Sequence, residues 1–148
     1  MNSLNQLTKT LDEYYAKLPA LPKGVNDFIV SVAPWLALIG GVLAILSGIA
    51  AFGFLSALSP FAMAVGVGGY AITAIIASLV LLVEGVIDLL AFQPLNARKK
   101  RGWDLIFLGI ILSVLSSVVS LHVGSIISGV IGFLIGYYFL YQVKSYYK

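Results

Sequence analysis

The stretch LLVEGVIDLLAF, residues 81–92, carries two carboxylates, Glu84 and Asp88, among apolar side chains. Residues four apart share one face of a helix. Two acids on one face of an apolar helix can hold a cation or pass a proton, and an ionisable residue within a membrane segment is read first as functional. The same pair can instead form a polar clasp that fixes topology and packing, and this is the favoured expectation. With a cytoplasmic boundary near Phe92, a rise of about 1.5 Å per residue places Asp88 roughly 6 Å inside and Glu84 roughly 12 Å inside. Asp88 then belongs to the interface. Glu84 lies in hydrocarbon, where a charge at the bilayer centre costs roughly 2.5–3.5 kcal/mol. It must therefore be protonated, paired or hydrogen-bonded.

Partners are expected from the C-terminal end. Tyr137, Tyr138 and Tyr141 fall at a similar depth, and Lys144 can reach down from the interface. Arg98 could fold back from its loop. The face shared by Tyr70, Thr73, Ala77, Leu81, Glu84, Asp88 and Ala91 is the smaller and more polar side of its segment. Against transport, no second deep acid stands in another span and no polar relay crosses the chain. His122, the single histidine, has no acid beside it and is expected at a turn, because a metal ligand would need partners. No metal site is expected.

The segments that position these residues are apolar and long. Hydrophobic residues make up 60% of the 148 and charged residues 10%. Soluble domains average about 45–50% and about 25%. A domain of this size buries only roughly two-thirds of its unfolded surface, so a bilayer is the solvent that suits this composition. Four spans are expected, over about 28–58, 69–92, 103–121 and 123–143. The fold class is all-α, an integral membrane four-helix bundle. Pro34 sits in the first turn or kinks the first span, and Trp35 suits an interface. The uncharged SPFAMAVGVGG, 59–69, reads as a link at the headgroups. SLHVG, 120–124, leaves room only for a tight turn.

Residues 1–18 read as an amphipathic helix. Leu4, Leu7, Leu11, Tyr14 or Tyr15, and Leu18 form a stripe at helical spacing. Ser3 and Gln6 fit a capping box. Pro19 and Pro22 stop the helix, and 19–27 reads as a linker to the 28–148 bundle. Lys9 and Lys17 balance Asp12 and Glu13, so no basic lipid-binding face is present. The helix is expected on the bilayer surface or against the bundle, with docking or oligomerisation as the sharper alternative. The mixed charges of the first 27 residues do not suit a cleaved signal peptide.

Charge sets the orientation. The nine basic residues, Lys9, Lys17, Lys23, Arg98, Lys99, Lys100, Arg101, Lys144 and Lys148, all fall on one side of a four-span chain. The positive-inside rule makes that side cytoplasmic, with both termini there. Trp103, Tyr137, Tyr138, Tyr141, Tyr146 and Tyr147 gather toward the same side as an aromatic belt.

Lipid tails are as apolar as leucine, so close backbone contact must hold the helices together. Small residues recur every four positions: Gly40, Ala44 and Gly48; Gly109, Ser113 and Ser117; Ser128, Gly132 and Gly136. Packing within one bundle is the favoured reading, with the last stripe as the candidate face toward another subunit.

The segments NARKKRGWDLIFLGIILSVLSS and IGFLIGYYFLYQVKSYYK, within residues 93–148, resemble small multi-span bacterial membrane proteins of uncharacterised families. The resemblance rests on a basic loop running into Gly-Trp and on a last helix closing with Tyr, Gln and Lys. It implies four spans in a bacterial plasma membrane and carries no activity. With no cysteine, no nucleophile–base pair and no phosphate or dinucleotide motif, neither an enzyme nor a cofactor is expected. The basic residues flank apolar spans, so nucleic acid is not an expected partner. The expectation is a structural, scaffold or accessory subunit that meets the lipid bilayer and forms a homo-oligomer or joins a larger membrane complex. A small oligomeric ion- or proton-coupled transporter or channel using Glu84 and Asp88 is the alternative.

Overall fold

The computed structural model describes residues 2–119 and 123–148. The described residues are helical almost throughout, with no strand: α1 (Asn2–Tyr15), α2 (Lys23–Ala64), α3 (Gly68–Asn96), α4 (Lys100–Val119), α5 (Val123–Val143) and a closing 3-10 turn, Lys144–Tyr146. The helices α2 to α5 are the four that are long and apolar enough to cross a membrane. His122 and the tight turn expected around it lie outside the described residues, as do the side chains of Ser3, Leu4 and Leu7.

Two helices run further than the sequence suggests. Helix α2 continues through Pro60 to Ala64, so the first half of the expected 59–69 link is helical. Proline has no N–H for the carbonyl four residues back. The hydroxyl of Ser59 takes over by donating to Ser56 O at 2.9 Å. Helix α3 likewise passes Pro94 and ends at Asn96. Asp88 therefore lies about 12 Å from the end of its helix and Glu84 about 18 Å. The linker is shorter than expected, because α2 starts at Lys23.

Both of these helices stop in the same way. After α2, Gly66 adopts φ 80°, Val67 N donates to Ala62 O at 2.9 Å and Gly66 N to Met63 O at 3.2 Å. After α3, Arg98 adopts φ 52°, Lys99 N donates to Pro94 O at 2.8 Å and Arg98 N to Leu95 O at 2.9 Å. This pair of bonds is the Schellman motif, whose left-handed residue is usually glycine. The second motif reverses the chain with an arginine in that place. The C-terminus is tied to it, since Lys148 N donates to Arg98 O at 3.1 Å and Lys100 N to Lys148 O at 2.9 Å.

The helices pack in chain order, α2 on α3, α3 on α4 and α4 on α5, while α2 and α5 touch sparsely. The α2–α3 contact is the most extensive. A methyl group built on Gly41 would lie 2.8 Å from Gly85 O, and one on Gly85 would lie 2.9 Å from Gly41 O. One turn pair further out, a methyl group on Gly48 would meet Leu82 at 2.7 Å and Ser78 O at 3.2 Å. Gly41 and Gly48 are seven apart, as are Ser78 and Gly85, so the two antiparallel helices meet through small residues at heptad spacing. Between α4 and α5, a methyl group on Gly129 would meet Ser117 Oγ at 2.5 Å. The expected stripes are thus partly displaced. Gly48 and Ser117 are at close contacts, but Gly41, Gly85 and Gly129 were not among the expected positions. Gly132 faces open space, and a methyl group on Gly136 would lie 3.4 Å from Ile110.

Gly85→Ala is expected to cost about 1–3 kcal/mol, because backbone blocks the added methyl group. Gly53→Ala, where nothing lies within 4 Å, is expected to stabilise α2 by up to about 1 kcal/mol. Thermal unfolding of the two variants in detergent measures the difference.

Candidate functional site

The polar residues of α5 do not turn toward α3. Helix α4 lies between the two, so Tyr137 and Lys144 face α1 instead. Lys144 Nζ makes an ion pair with Asp12 Oδ2. Tyr137 OH lies 3.0 Å from Asp12 Oδ1 and 3.4 Å from Thr8 O. Tyr137 is fully buried, against Tyr15 at 5.0 Å between ring centres, Phe107 at 5.4 Å and Phe133 at 5.9 Å. Lys144 Nζ also sits 5.1 Å over the Trp103 ring, within cation–π range. Trp103 Nε1 in turn donates to Leu140 O at 2.8 Å. A charged residue of the N-terminal helix is thereby bound to the aromatic core between α4 and α5.

The linker is held in the same region. Tyr138 OH donates to Pro19 O at 2.8 Å, Gln142 Nε2 donates to Pro19 O at 3.1 Å, and Leu21 N donates to Gln142 Oε1 at 3.3 Å. These backbone groups beside two prolines have no helix to pair with, and the α5 side chains satisfy them. Tyr15 OH donates to Leu134 O at 3.1 Å, and burial pushes its phenol up, which keeps it a donor. Tyr141 tilts against Tyr15 at 6.2 Å. Tyr147 is pushed up by burial, and the neighbouring Arg98 charge pulls it the other way. Arg98, Lys99, Lys100 and Arg101 are exposed. Lys9, Lys17, Lys23, Lys144 and Lys148 gather at the same end of the molecule through the contacts of α1, the linker and the C-terminus.

Glu84 and Asp88 are left without these partners, which corrects the clasp expected from the sequence. Among the described residues neither acid has an ion pair, and Glu84 Oε1 is buried without a hydrogen bond. Both acids line a cavity of ≈ 210 Å³ with Ser113, Gly109, Ile106 and Ile110. The Asp88 carboxylate is wedged between two glycines. Methyl groups built on Gly40 of α2 and Gly109 of α4 would lie 3.9 Å from its Oδ2 and 4.0 Å from its Oδ1. Two of the expected packing glycines thus make room for a carboxylate. Asp88 also lines a second cavity, of ≈ 340 Å³, which reaches α2 and α5.

Sequence reasoning missed Asp12, Pro19 and Gln142. Their pairings join residues more than a hundred positions apart, and no local pattern marks them. The one available signal was that Asp12 lies beside the apolar stripe residues Leu11 and Tyr15.

Asp12→Ala is expected to weaken docking of α1 by about 1–2 kcal/mol, since the pair is about one-third exposed and partly screened. Trypsin cleavage at Lys9 and Lys17 should then run roughly five to thirty times faster. Tyr14→Phe, at an exposed ring, should leave that rate unchanged.

No family model matches this chain, and no curated protein and no solved structure matches it.

Proposed function

We propose that this chain is a non-enzymatic integral membrane protein that acts as a structural or accessory subunit of a membrane assembly. It crosses the bilayer four times, with both termini and every basic residue on the cytoplasmic side of a bacterial plasma membrane. The observation that carries the reading is the division of its surface. The hydrogen-bonding side chains at the basic end, Asp12, Lys144, Tyr137, Tyr138 and Gln142, bind the chain to itself. The long helices beyond that end present apolar side chains such as Leu36, Leu43, Leu46, Ile131 and Ile135 outward. A surface of this kind suits lipid and other spanning helices. In this reading α1 is an amphipathic helix at the interface, packed on the bundle.

Helix α5 offers the face for a partner. Its Ser128 is exposed and nothing lies within 4 Å of a methyl group built on Gly132, so another helix can approach its backbone. Gly132→Leu should leave the unfolding midpoint nearly unchanged and reduce self-association or co-purification by about tenfold or more, which a loss of about 1.4 kcal/mol produces. Native mass measurement after gentle solubilisation reads this directly. Unchanged assembly would remove α5 from the interface.

A second reading, an ion- or proton-coupled carrier, is favoured by one observation, the unbonded buried Glu84 Oε1 beside Asp88 and Ser113. A membrane acid without a partner is a place for a proton or cation. In reconstituted vesicles Glu84→Gln should abolish any proton or cation flux. Flux that survives the change sinks the carrier reading.

A further inference from the structure

We propose that the lateral groove between α2 and α5 is a binding site for an organic cation with an apolar body, an alkylammonium in its simplest form, and that Asp88 is the residue that recognises the charge. The groove is a cavity of ≈ 340 Å³ lined from all four spanning helices, including Ala33 and Ala37, Ile106 and Ile110, and Gly136. Its volume is at the lower end of the roughly 300–1,000 Å³ typical of small-molecule sites. Among the described residues that line it, Asp88 carries the only polar side chain.

Three features decide the chemistry of the occupant. First, the walls are apolar, which selects an apolar body. Second, the carboxylate has no cationic partner among the described residues, and the packing gives it room instead of covering it. Gly40 and Gly109 flank its two oxygens, where larger side chains would press on the carboxylate. Third, the groove lies between the first and last spanning helices, which touch only sparsely. Asp88 is about 12 Å from the end of α3, and in the four-span reading on which this proposal rests an amphipathic ligand reaches the groove from the lipid phase. A carboxylate at that depth is satisfied by a charge that carries its own hydrophobic body, because that ligand can enter without being stripped of bulk water at the site. Glu84 lines the neighbouring cavity behind Asp88 but not this groove, and Asp88 alone is the contact. The site does not require transport, and a structural subunit could carry it.

The test compares dodecyltrimethylammonium with dodecanol, which has the same chain and no charge, by titration calorimetry on the full chain in a non-ionic detergent. The wild-type protein should bind the cation about tenfold or more tightly than the alcohol, the contribution of a charged contact of about 1.5–3 kcal/mol. Asp88→Asn should remove that advantage and leave dodecanol binding unchanged. Ala33→Phe, which fills the groove from α2 and keeps the acid, should weaken both ligands about tenfold or more. The comparison of the two ligands on the wild-type chain needs no variant, so the proposal stays testable if a variant does not fold. Equal affinity of cation and alcohol on the wild-type chain overturns the proposal and marks the groove as a seat for a lipid chain or a partner helix. Full cation binding by Asp88→Asn or by Ala33→Phe overturns it as well.

Discussion

The contact between Gly41 and Gly85 sets the rest of the arrangement. Each glycine sits under the carbonyl of the other, and neither position has room for a methyl group. In lipid no hydrophobic force draws two apolar helices together, so the contact area won by such an approach is what holds them. With Gly48 against Ser78 one heptad away, it fixes the register of α2 and α3. That register brings Gly40 beside Asp88, and α4 then closes from the other side with Gly109. The acid is enclosed by glycines because the helices beside it approach closely. Helices α4 and α5 have 20 and 21 residues against 42 and 29 for α2 and α3. The α2–α3 pair therefore runs on beyond them at the end away from the basic residues.

Charge is handled differently at the two places where it meets apolar surroundings. At the basic end Asp12 finds a lysine and a phenol, and Pro19 and Leu21 of the linker find Tyr138 and Gln142. The side chains that bind the N-terminal segment there pair a charge with its opposite or a donor with an acceptor, as burial of polar groups demands. Inside α3 the two acids have Gly109, Ser113, Ile106, Ile110 and each other around their cavity, and no ion pair among the described residues. The contrast separates structural electrostatics from a candidate site. Residues whose polar atoms are matched hold the N-terminal segment in place. Residues whose polar atoms are unmatched remain available to something that is not part of the chain.

The architecture was legible because it is written in long-period signals. Four apolar runs, one basic side and a leucine-rich first segment can be read from composition and spacing, and the helices α1 to α5 stand where those runs stand. What escaped were features decided by contact across the chain. The first two spans were expected to end at 58 and 92, but the helices continue through Pro60, where Ser59 supplies the missing donor, and through Pro94. The search for small residues at four-residue spacing chose Gly40 and Gly132, whereas the close approaches are at Gly41, Gly85 and Gly129. A search at seven-residue spacing, with Gly41 and Gly48 against Ser78 and Gly85, carries that signal. In the sequence Glu84 is the anomalous acid of α3 and Asp88 belongs to the boundary, whereas in the structure both border a cavity. Asp88, first assigned to the interface, lies further from the end of its helix than the sequence suggests and borders both cavities. Of the partners expected for the acids of α3, Tyr137 and Lys144 belong to Asp12, a pairing that no local pattern announces, and Tyr138 belongs to Pro19.

The central claim is that the basic end and the α2–α3 turn lie on opposite sides of a membrane. The chain contains no cysteine, so single cysteines can be placed at Lys9, Lys99 and Lys148 and at Val65 without further change. Labelling with a membrane-impermeant maleimide, from outside intact cells and then on inverted vesicles, separates the two sides. The account predicts that the first three positions react only in inverted vesicles and that Val65 reacts only from outside. Reaction of Val65 and Lys99 from the same side would contradict it.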